Sequence, residues 1–221
     1  MKAKRFLNKV SIMFVMMAVL FVLSACRGEV HALEPSFPST EFLSSTDLFR
    51  LYVPSGWRME ESVPGAGLVM ANTEAALERY NNGNALETDD VVLNVGFLPM
   101  ALLQEKELSH LGFQFKAPPD LFLQSLLPMF HIGYKPSSNV VGKPALVSLG
   151  NEQDAGMLTF SEEGRDGLIL VFIASNDVIT FLSATTSPGG MGEFQEIIYA
   201  VAAGVAYSGS QDALYSKLYG D

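Results

Sequence analysis

The sequence predicts an α+β domain with a central antiparallel sheet flanked by helices. Three observations support this fold class. Strand-length apolar runs alternate with short helical patterns in the first half of the chain. Four further strand-length runs, separated by brief turn segments, fill most of the last third, and a helix-length run with one apolar stripe follows them. Short turns join antiparallel strands, and a helix with one apolar face must bury that face against a second layer.

The first 25 residues are predicted to be a signal peptide. They contain four cations and no acid, and the cations precede an apolar stretch at residues 10–22. This stretch is closer in length to a secretory signal than to the roughly 20 apolar residues that span a bilayer. Removal of the segment leaves 10 Lys and Arg residues against 24 Asp and Glu residues, a net charge of −14. Because a surface this acidic repels phosphate groups, nucleic acid is not expected as a partner.

The segment Leu23-Ser24-Ala25-Cys26 closes this leader. It resembles the lipobox of bacterial lipoproteins, in which the cysteine sulfur receives a diacylglyceryl group and the chain is cut on the amino side of that cysteine. Small side chains at 24 and 25 suit a peptidase cleft, and Cys26 is the only cysteine. The resemblance implies an extracytoplasmic lipoprotein whose partner is the cell membrane, reached through lipid on Cys26. An uncleaved anchor and an ordinary secretory signal are the alternative interpretations.

Residues 26–46 are predicted to form the lipidated cysteine and a flexible tether, and residues 47–221 a single domain. Pro, Ser and Thr are scattered through the tether, and no hydrophobic period is sustained there. A flexible coil of about 20 residues reaches roughly 25 Å, enough to lift a domain clear of lipid headgroups. His31 lies in this stretch and is interpreted as a solvated linker residue.

The first half of the domain is expected to alternate between strands and helices. Phe49, Leu51 and Val53 alternate with other residues, as in a half-buried strand. Asn72 is the predicted N-cap of the first helix, and Pro128 is expected to end or kink the last one. The expected strands lie at 48–53, 57–62, 68–70 and 91–98. The expected helices lie at 73–80, 100–108 and 120–127.

The last third is expected to form an antiparallel meander closed by a helix. The segment 168–173 is apolar at every position, as in a strand that is covered on both faces. The expected strands lie at 143–149, 156–161, 167–174 and 178–184. An amphipathic helix is predicted at 191–207, and a short helix through Leu214 and Leu218 is the expected final element.

The sequence Phe49-x₄-Pro54-Ser55-Gly56-Trp57, followed by a polar strand, resembles the PsbP-like family. That family includes the extrinsic PsbP protein of the photosystem II oxygen-evolving complex and bacterial relatives. The resemblance covers roughly residues 42–207. It implies an α/β/α sandwich with a central antiparallel sheet, and a binding or assembly module without catalytic activity at a membrane surface. The family has no shared catalytic set, so no site residue follows from the resemblance.

Candidate chemical groups are few in this sequence. His110 and His131 are interpreted as surface or loop residues, because no serine nucleophile motif accompanies them. Acidic residues cluster in three predicted loops, at 87–90, 152–154 and 162–166, and are interpreted as solvated hairpin tips in preference to a calcium site. The turn at 189–192 precedes a helix whose first amides can hold an anion, but no P-loop lysine follows, and it is interpreted as a flexible turn. Tyr52, Trp57 and Tyr80 could line a ligand groove, but they are interpreted in preference as ordinary core and surface aromatic residues.

These patterns favour a membrane-anchored binding or assembly module over an enzyme. No catalytic, metal-binding or cofactor-binding residue is predicted, and the expected partner besides the membrane is a protein or small-molecule ligand. The alternative is a cell-envelope hydrolase whose site assembles from residues distant in sequence. A structural envelope protein is the third possibility.

Overall fold

The computed structural model describes residues 34–104, 117–130, 142–149, 153–162, 164–174 and 177–219. The predicted signal peptide, Cys26 and the beginning of the predicted tether lie outside these residues. So do His31, His110 and His131.

Ten strands and five helices make up the described part of the chain. The strands are β1 (Ser39–Leu43), β2 (Phe49–Pro54), β3 (Arg58–Val63), β4 (Gly67–Ala71), β5 (Val91–Pro99), β6 (Ala145–Ser148), β7 (Asp154–Glu162), β8 (Arg165–Ala174), β9 (Val178–Thr186) and β10 (Ala206–Tyr207). The helices are α1 (Glu74–Asn81), α2 (Met100–Leu103), α3 (Pro119–Phe130), α4 (Met191–Ala203) and α5 (Gln211–Tyr219).

Seven of these strands form one antiparallel sheet in the order β3-β4-β5-β9-β8-β7-β6. Strands β6 to β9 are neighbours in sequence and in space, so the predicted meander is confirmed. Strand β5 pairs along its full length with β9, which joins the two halves of the chain in one sheet. Helices pack on this sheet, and the predicted α+β class with a helix-flanked antiparallel sheet is confirmed.

The expectation of a single sheet is wrong, because β1, β2 and β10 form a second, three-stranded one. Two predicted boundaries are wrong for the same reason. Strand β1 lies inside the stretch predicted as tether, where it pairs with β2. The helix predicted at 191–207 ends at Ala203 with Gly204 as its C-cap, and Ala206 and Tyr207 pair with β2 instead.

The main core lies between one face of the large sheet, here called the inner face, and the layer formed by the small sheet and α4. Alternation places Phe49, Leu51 and Val53 of β2 in this core, as the sequence predicts. Three aromatic rings connect the two sheets. The ring centroids of Phe49 and Phe97 lie 4.7 Å apart, and those of Phe97 and Tyr207 lie 4.8 Å apart. Tilted aromatic pairs at these separations stabilise a core beyond the area that they bury.

Helices α1 and α3 cover parts of the opposite, outer face. Helix α1 packs on β4 and β5, and α3 packs on β6, β7 and β8. A smaller core of Phe122, Leu123 and Leu126 forms beneath α3 against Leu158 and Val171. Neither α1 nor α3 reaches far along β9, which runs between the strands that they cover.

Two details of the helix ends differ from the predictions. Thr73, not Asn72, is the N-cap of α1, because its hydroxyl accepts a hydrogen bond from the Ala76 amide at 3.0 Å. The Asn72 side chain instead accepts a hydrogen bond from the Val91 amide at 3.1 Å. Helix α3 continues past Pro128 to Phe130, since a proline near a helix end removes only one of its amide donors.

Glu61 connects two turns at the edge of the large sheet. Its carboxylate accepts hydrogen bonds from the Gly65 amide at 2.7 Å and from the Ser45 amide at 3.2 Å. Partial burial opposes ionisation of this carboxyl group. The hydrogen bonds from Gly65 and Ser45 outweigh that effect and hold the pKa of Glu61 below its ordinary value.

None of the helices in the described part of the chain is long and apolar enough to cross a membrane.

Candidate functional site

A strip of half-buried residues, here called the cleft, lies on the outer face of the large sheet between α1 and α3. Its described residues are Tyr80 of α1, Asn94 and Gly96 of β5, Ile169 of β8, and Phe181 and Ser183 of β9. All six are half-buried. Their neighbours toward the inner face, such as Val95 and Leu182, are almost completely buried. The three central strands are therefore covered on one face and accessible in part on the other.

The register of the strands brings the polar members of the cleft together. Asn94 is the direct cross-strand partner of Ser183, and Ser183 is the partner of Ile169 on its other side. Directly opposed side chains on one face of an antiparallel sheet lie about 4.5–5.5 Å apart at Cβ. The Asn94 amide nitrogen donates a hydrogen bond to the Tyr80 hydroxyl at 2.9 Å, which connects α1 to the floor of the cleft.

Gly96 makes the floor of the cleft deeper. It alternates along β5 with Asn94, so a side chain at this position would project into the cleft. Among the described atoms, the nearest to a Cβ built on Gly96 is the Ala66 carbonyl oxygen at 4.0 Å. Gly167 of β8 is different, because a Cβ there would overlap the ring of Phe160. Gly96 thus leaves space, whereas the space at Gly167 is filled by an aromatic ring.

The described side chains of the cleft are uncharged. A phenol, an amide and a serine hydroxyl can each donate and accept hydrogen bonds, and Ile169 and Phe181 offer apolar surface beside them. A few polar groups that converge within an apolar surround are typical of small-molecule and peptide sites. The arrangement suits a ligand that carries no net charge where it touches the sheet.

The acidic loop at 87–90 has a structural role. Arg79 of α1 contacts the Asp90 carboxylate through its Nη2 atom at 2.8 Å and its Nε atom at 3.0 Å. Its Nη1 atom also lies 3.2 Å from Glu87 Oε1, and the Glu87 amide donates to Asp90 at 2.8 Å. Within the described residues, no group of three or more His, Cys, Asp or Glu side chains has metal-binding geometry.

The glycine-rich turn before α4 already holds an anion, which is the Asp166 side chain. Gly189 donates its amide hydrogen to Asp166 Oδ2 at 2.7 Å, and Ser161 donates a hydrogen bond to Asp166 Oδ1. A carboxylate near a helix amino terminus is stabilised by the amides and dipole there. The turn, interpreted from sequence as flexible, therefore contacts the β7–β8 hairpin through Asp166.

The three aromatic residues considered for a ligand groove do not come together. Tyr80 lies in the cleft, where it binds Asn94. Trp57 packs instead against the main core, and Tyr52 lies on β2 opposite Glu41 of the small sheet. The lipobox residues Leu23, Ser24, Ala25 and Cys26 lie outside the described residues.

Sequence reasoning did not single out Asn94, Gly96 or Ser183. A signal exists for Asn94 and Gly96, because each interrupts the otherwise apolar run VVLNVGFL. Ser183 stands out less, because its strand VITFLSATT also contains three threonines. A polar residue in a strand that is covered on both faces needs a hydrogen-bonding reason to be there. Recognition of the site also required the β5–β9 register, which places Asn94 next to Ser183.

Comparison with protein-family models gives no match, and comparison with curated proteins gives none either. Solved structures of 24 chains are similar to this one, among them the following three. A protein of Bacteroides thetaiotaomicron shows 15% identity and a TM-score of 0.44, and the alignment covers 78% of this chain but only 50% of that one. The solution structure of cyanobacterial PsbP from Synechocystis shows 14% identity and a TM-score of 0.46, and the alignment covers 83% of this chain and 97% of that one.

The third similar structure is LpqN, which is involved in cell envelope biogenesis of Mycobacterium tuberculosis. It shows 13% identity and a TM-score of 0.35, with 77% of this chain and 91% of that chain covered. All three TM-scores are below 0.5. The fold class of this chain therefore rests on its own strands and helices: an antiparallel seven-stranded sheet with helices on its faces.

Proposed function

We propose that this protein is an extracytoplasmic lipoprotein that uses the cleft on the outer face of its large sheet to bind an uncharged part of a partner molecule. The anchoring half of the proposal rests on Cys26, the sole cysteine, which ends the Leu23-Ser24-Ala25-Cys26 segment. Two or three acyl chains on one residue hold a protein stably on a membrane, at about 0.8 kcal/mol for each buried CH₂ group.

The single observation that carries the binding half is the Asn94–Ser183 pair. These two polar residues sit on central strands of the sheet and remain half-buried on its outer face. In a sheet whose inner face is mostly apolar, such a pair with Tyr80 beside it is best explained by a ligand that hydrogen-bonds to it. The ligand is expected to be uncharged at this contact, since no charged side chain belongs to the described cleft.

Affinity capture of the intact chain from its own membranes, after cross-linking, tests the binding role. Gly96→Leu places a side chain in the cleft, and we expect it to abolish recovery of a partner that the wild-type chain retains. Gly192→Leu makes the same chemical change on the exposed first turn of α4, where no described atom lies within 4 Å of a built Cβ. This control should recover the partner as the wild type does.

Equal recovery by the wild type and Gly96→Leu would reject the cleft as the binding site. If no protein partner is recovered with any of the chains, native mass spectrometry of the membrane-extracted wild-type chain examines small ligands. A co-purifying compound that Gly96→Leu loses supports the proposal. Absence of any such compound, with hydrolysis of an envelope substrate by the wild-type chain, would support the hydrolase alternative.

A further inference from the structure

The two edges of the large sheet differ in how they are protected. Strand β3 at one edge carries Arg58, Glu60 and Glu61, and a register shift between Glu60 and Val63 interrupts its pairing with β4. Charges and bulges of this kind prevent an edge strand from pairing with another chain. Strand β6 at the other edge has neither feature within its own four residues, and Lys143 and Pro144 come directly before it. The segment 144–149, Pro-Ala-Leu-Val-Ser-Leu, contains no charged residue.

Strand β6 is also accessible. Ala145 and Ser148 are exposed, and the Leu146 side chain is large, apolar and 49% exposed. In the described part of the chain β6 pairs with β7 alone. An uncharged edge with an exposed leucine is the arrangement that natural sheets ordinarily avoid unless another strand pairs there.

The hydrogen-bond pattern identifies which backbone groups of β6 point outward. The Leu149 amide donates to the Gln153 carbonyl at 2.9 Å, which makes that pair hydrogen-bonded. Hydrogen-bonded and non-hydrogen-bonded pairs alternate along an antiparallel ladder. The pair of Val147 with Ala155 is therefore hydrogen-bonded, whereas the pairs of Leu146 with Gly156 and Ser148 with Asp154 are not. The N–H and C=O groups of Leu146 and Ser148 face the open edge.

We propose that β6 pairs antiparallel with β6 of a second copy of this chain, about a twofold axis at Val147. Leu146 of each copy is then opposite Ser148 of the other, and the outward N–H and C=O groups of both residues are satisfied. The two seven-stranded sheets become one continuous sheet across the dimer.

Two observations favour a second copy over an unrelated strand. The outward groups of β6 are self-complementary about Val147, as a closed twofold interface requires. The chain is also strongly acidic, with a net charge of −10, so most surfaces of two copies repel each other. The uncharged β6 edge is a place where two copies can meet without that repulsion. An exposed apolar residue of α3, Leu121, adds apolar surface on the side of the sheet where α3 packs on β6.

Light scattering of the full chain in detergent micelles is the first test, and a dimer is expected for the wild type. Ser148→Pro removes one outward N–H and leaves the β6–β7 ladder intact, because proline is tolerated where the N–H faces away from the sheet. Leu146→Lys adds a charge to the edge. Each variant should raise the dissociation constant of the dimer by about tenfold or more. The temperature of thermal unfolding, measured at concentrations where the wild type and the variants are all monomeric, should not change. Met59→Lys is the control on β3, where Met59 is 41% exposed, and should remain dimeric.

Cysteine cross-linking tests the register. Val147 of the two copies forms a non-hydrogen-bonded pair in the proposed dimer, with Cα atoms about 4.5 Å apart, which permits a disulfide. Leu146 of the two copies is a diagonal pair at roughly 7–8 Å, which does not. Mild oxidation should therefore join two copies of Val147→Cys efficiently through a disulfide. Two copies of Leu146→Cys or of Met59→Cys should be joined poorly. The wild type is the control for any disulfide that forms through Cys26. A monomeric wild type, or equal linking at all three positions, would overturn the proposal.

Discussion

At the scale of single residues, the polar groups of the loop between α1 and β5 are committed to structural contacts. Asp90 is almost completely buried and receives Arg79 and the Glu87 amide. Asn72 beside it accepts a hydrogen bond from Val91. These contacts hold the loop between α1 and β5, and so they set the position of α1 and its Tyr80 over the cleft. The acidic cluster that could suggest a metal site is thereby part of the scaffold of the binding site.

The Arg79–Asp90 pair should stabilise the fold measurably. Its side chains are 23% and 6% exposed, so Asp90→Asn, which keeps an acceptor for the Glu87 amide, leaves a largely buried guanidinium with only the exposed Glu87 carboxylate as a countercharge. We expect a loss of about 2 kcal/mol in the free energy of unfolding, measured by urea denaturation. Glu74→Gln disrupts the exposed Arg58–Glu74 pair, with side chains 61% and 65% exposed, and should cost less than about 0.5 kcal/mol. Equal costs for the two variants would contradict this role of Asp90.

Tyr207 supplies a prediction about alkaline pH. Burial raises the pKa of its phenol from 10.0 to about 12 in the folded chain. Below pH 10 the phenol is protonated in both states, so its contribution to stability is complete. Between pH 10 and 12 the unfolded chain loses the proton that the folded chain keeps, and stability falls.

An absorbance titration of the wild type minus that of Tyr207→Phe should therefore show one phenol that ionises near pH 12. The alkaline loss of stability should be smaller in Tyr207→Phe. A difference titration centred at pH 10 would show that the ring is hydrated in the folded protein.

At the scale of secondary-structure elements, close approach of α3 to the sheet depends on Gly156. A Cβ at this position would overlap the Pro119 carbonyl at the start of α3. Glycine in a strand often marks such a contact. Helix α3 forms one side of the cleft, so the contact also helps to set the width of the site.

Gly156→Ala should destabilise the protein by about 1–3 kcal/mol, the usual cost of overpacking. Gly96→Ala is the matched control on the same face of the same sheet, because the nearest described atom is 4.0 Å from its Cβ. We expect that variant to be as stable as the wild type or slightly more stable. Thermal unfolding of the two variants checks the prediction, and a Gly156→Ala chain of wild-type stability would contradict the close approach.

Elements with a strong hydrophobic period could be predicted from sequence, and those that depend on distant partners could not. Alternation identified β2, and short turns identified the β6–β9 meander, because both signals are local. Strand β1 was missed because the contacts that order it come from β2. The cleft was missed for a similar reason. Asn94 and Ser183 are far apart in the chain, and only the β5–β9 register brings them together.

At the scale of the whole molecule, the proposed anchor and the proposed cleft have separate structural origins. The anchor depends on a leader and Cys26, which lie outside the described residues, and the cleft depends on the sheet. An acidic exterior around an uncharged cleft disfavours anionic ligands and phosphate-rich partners. Lipid at the chain's start would restrict the partners of the cleft to molecules that are present at the same membrane surface.

Intact mass spectrometry of the protein purified from its native membrane tests this account most directly. We expect a chain that begins at Cys26 and whose mass is increased by the acyl chains on that residue. The increment should disappear, and the leader should remain, in Cys26→Ser. An unmodified Cys26, or a wild-type chain that still contains residues 1–25, would contradict the lipid anchor.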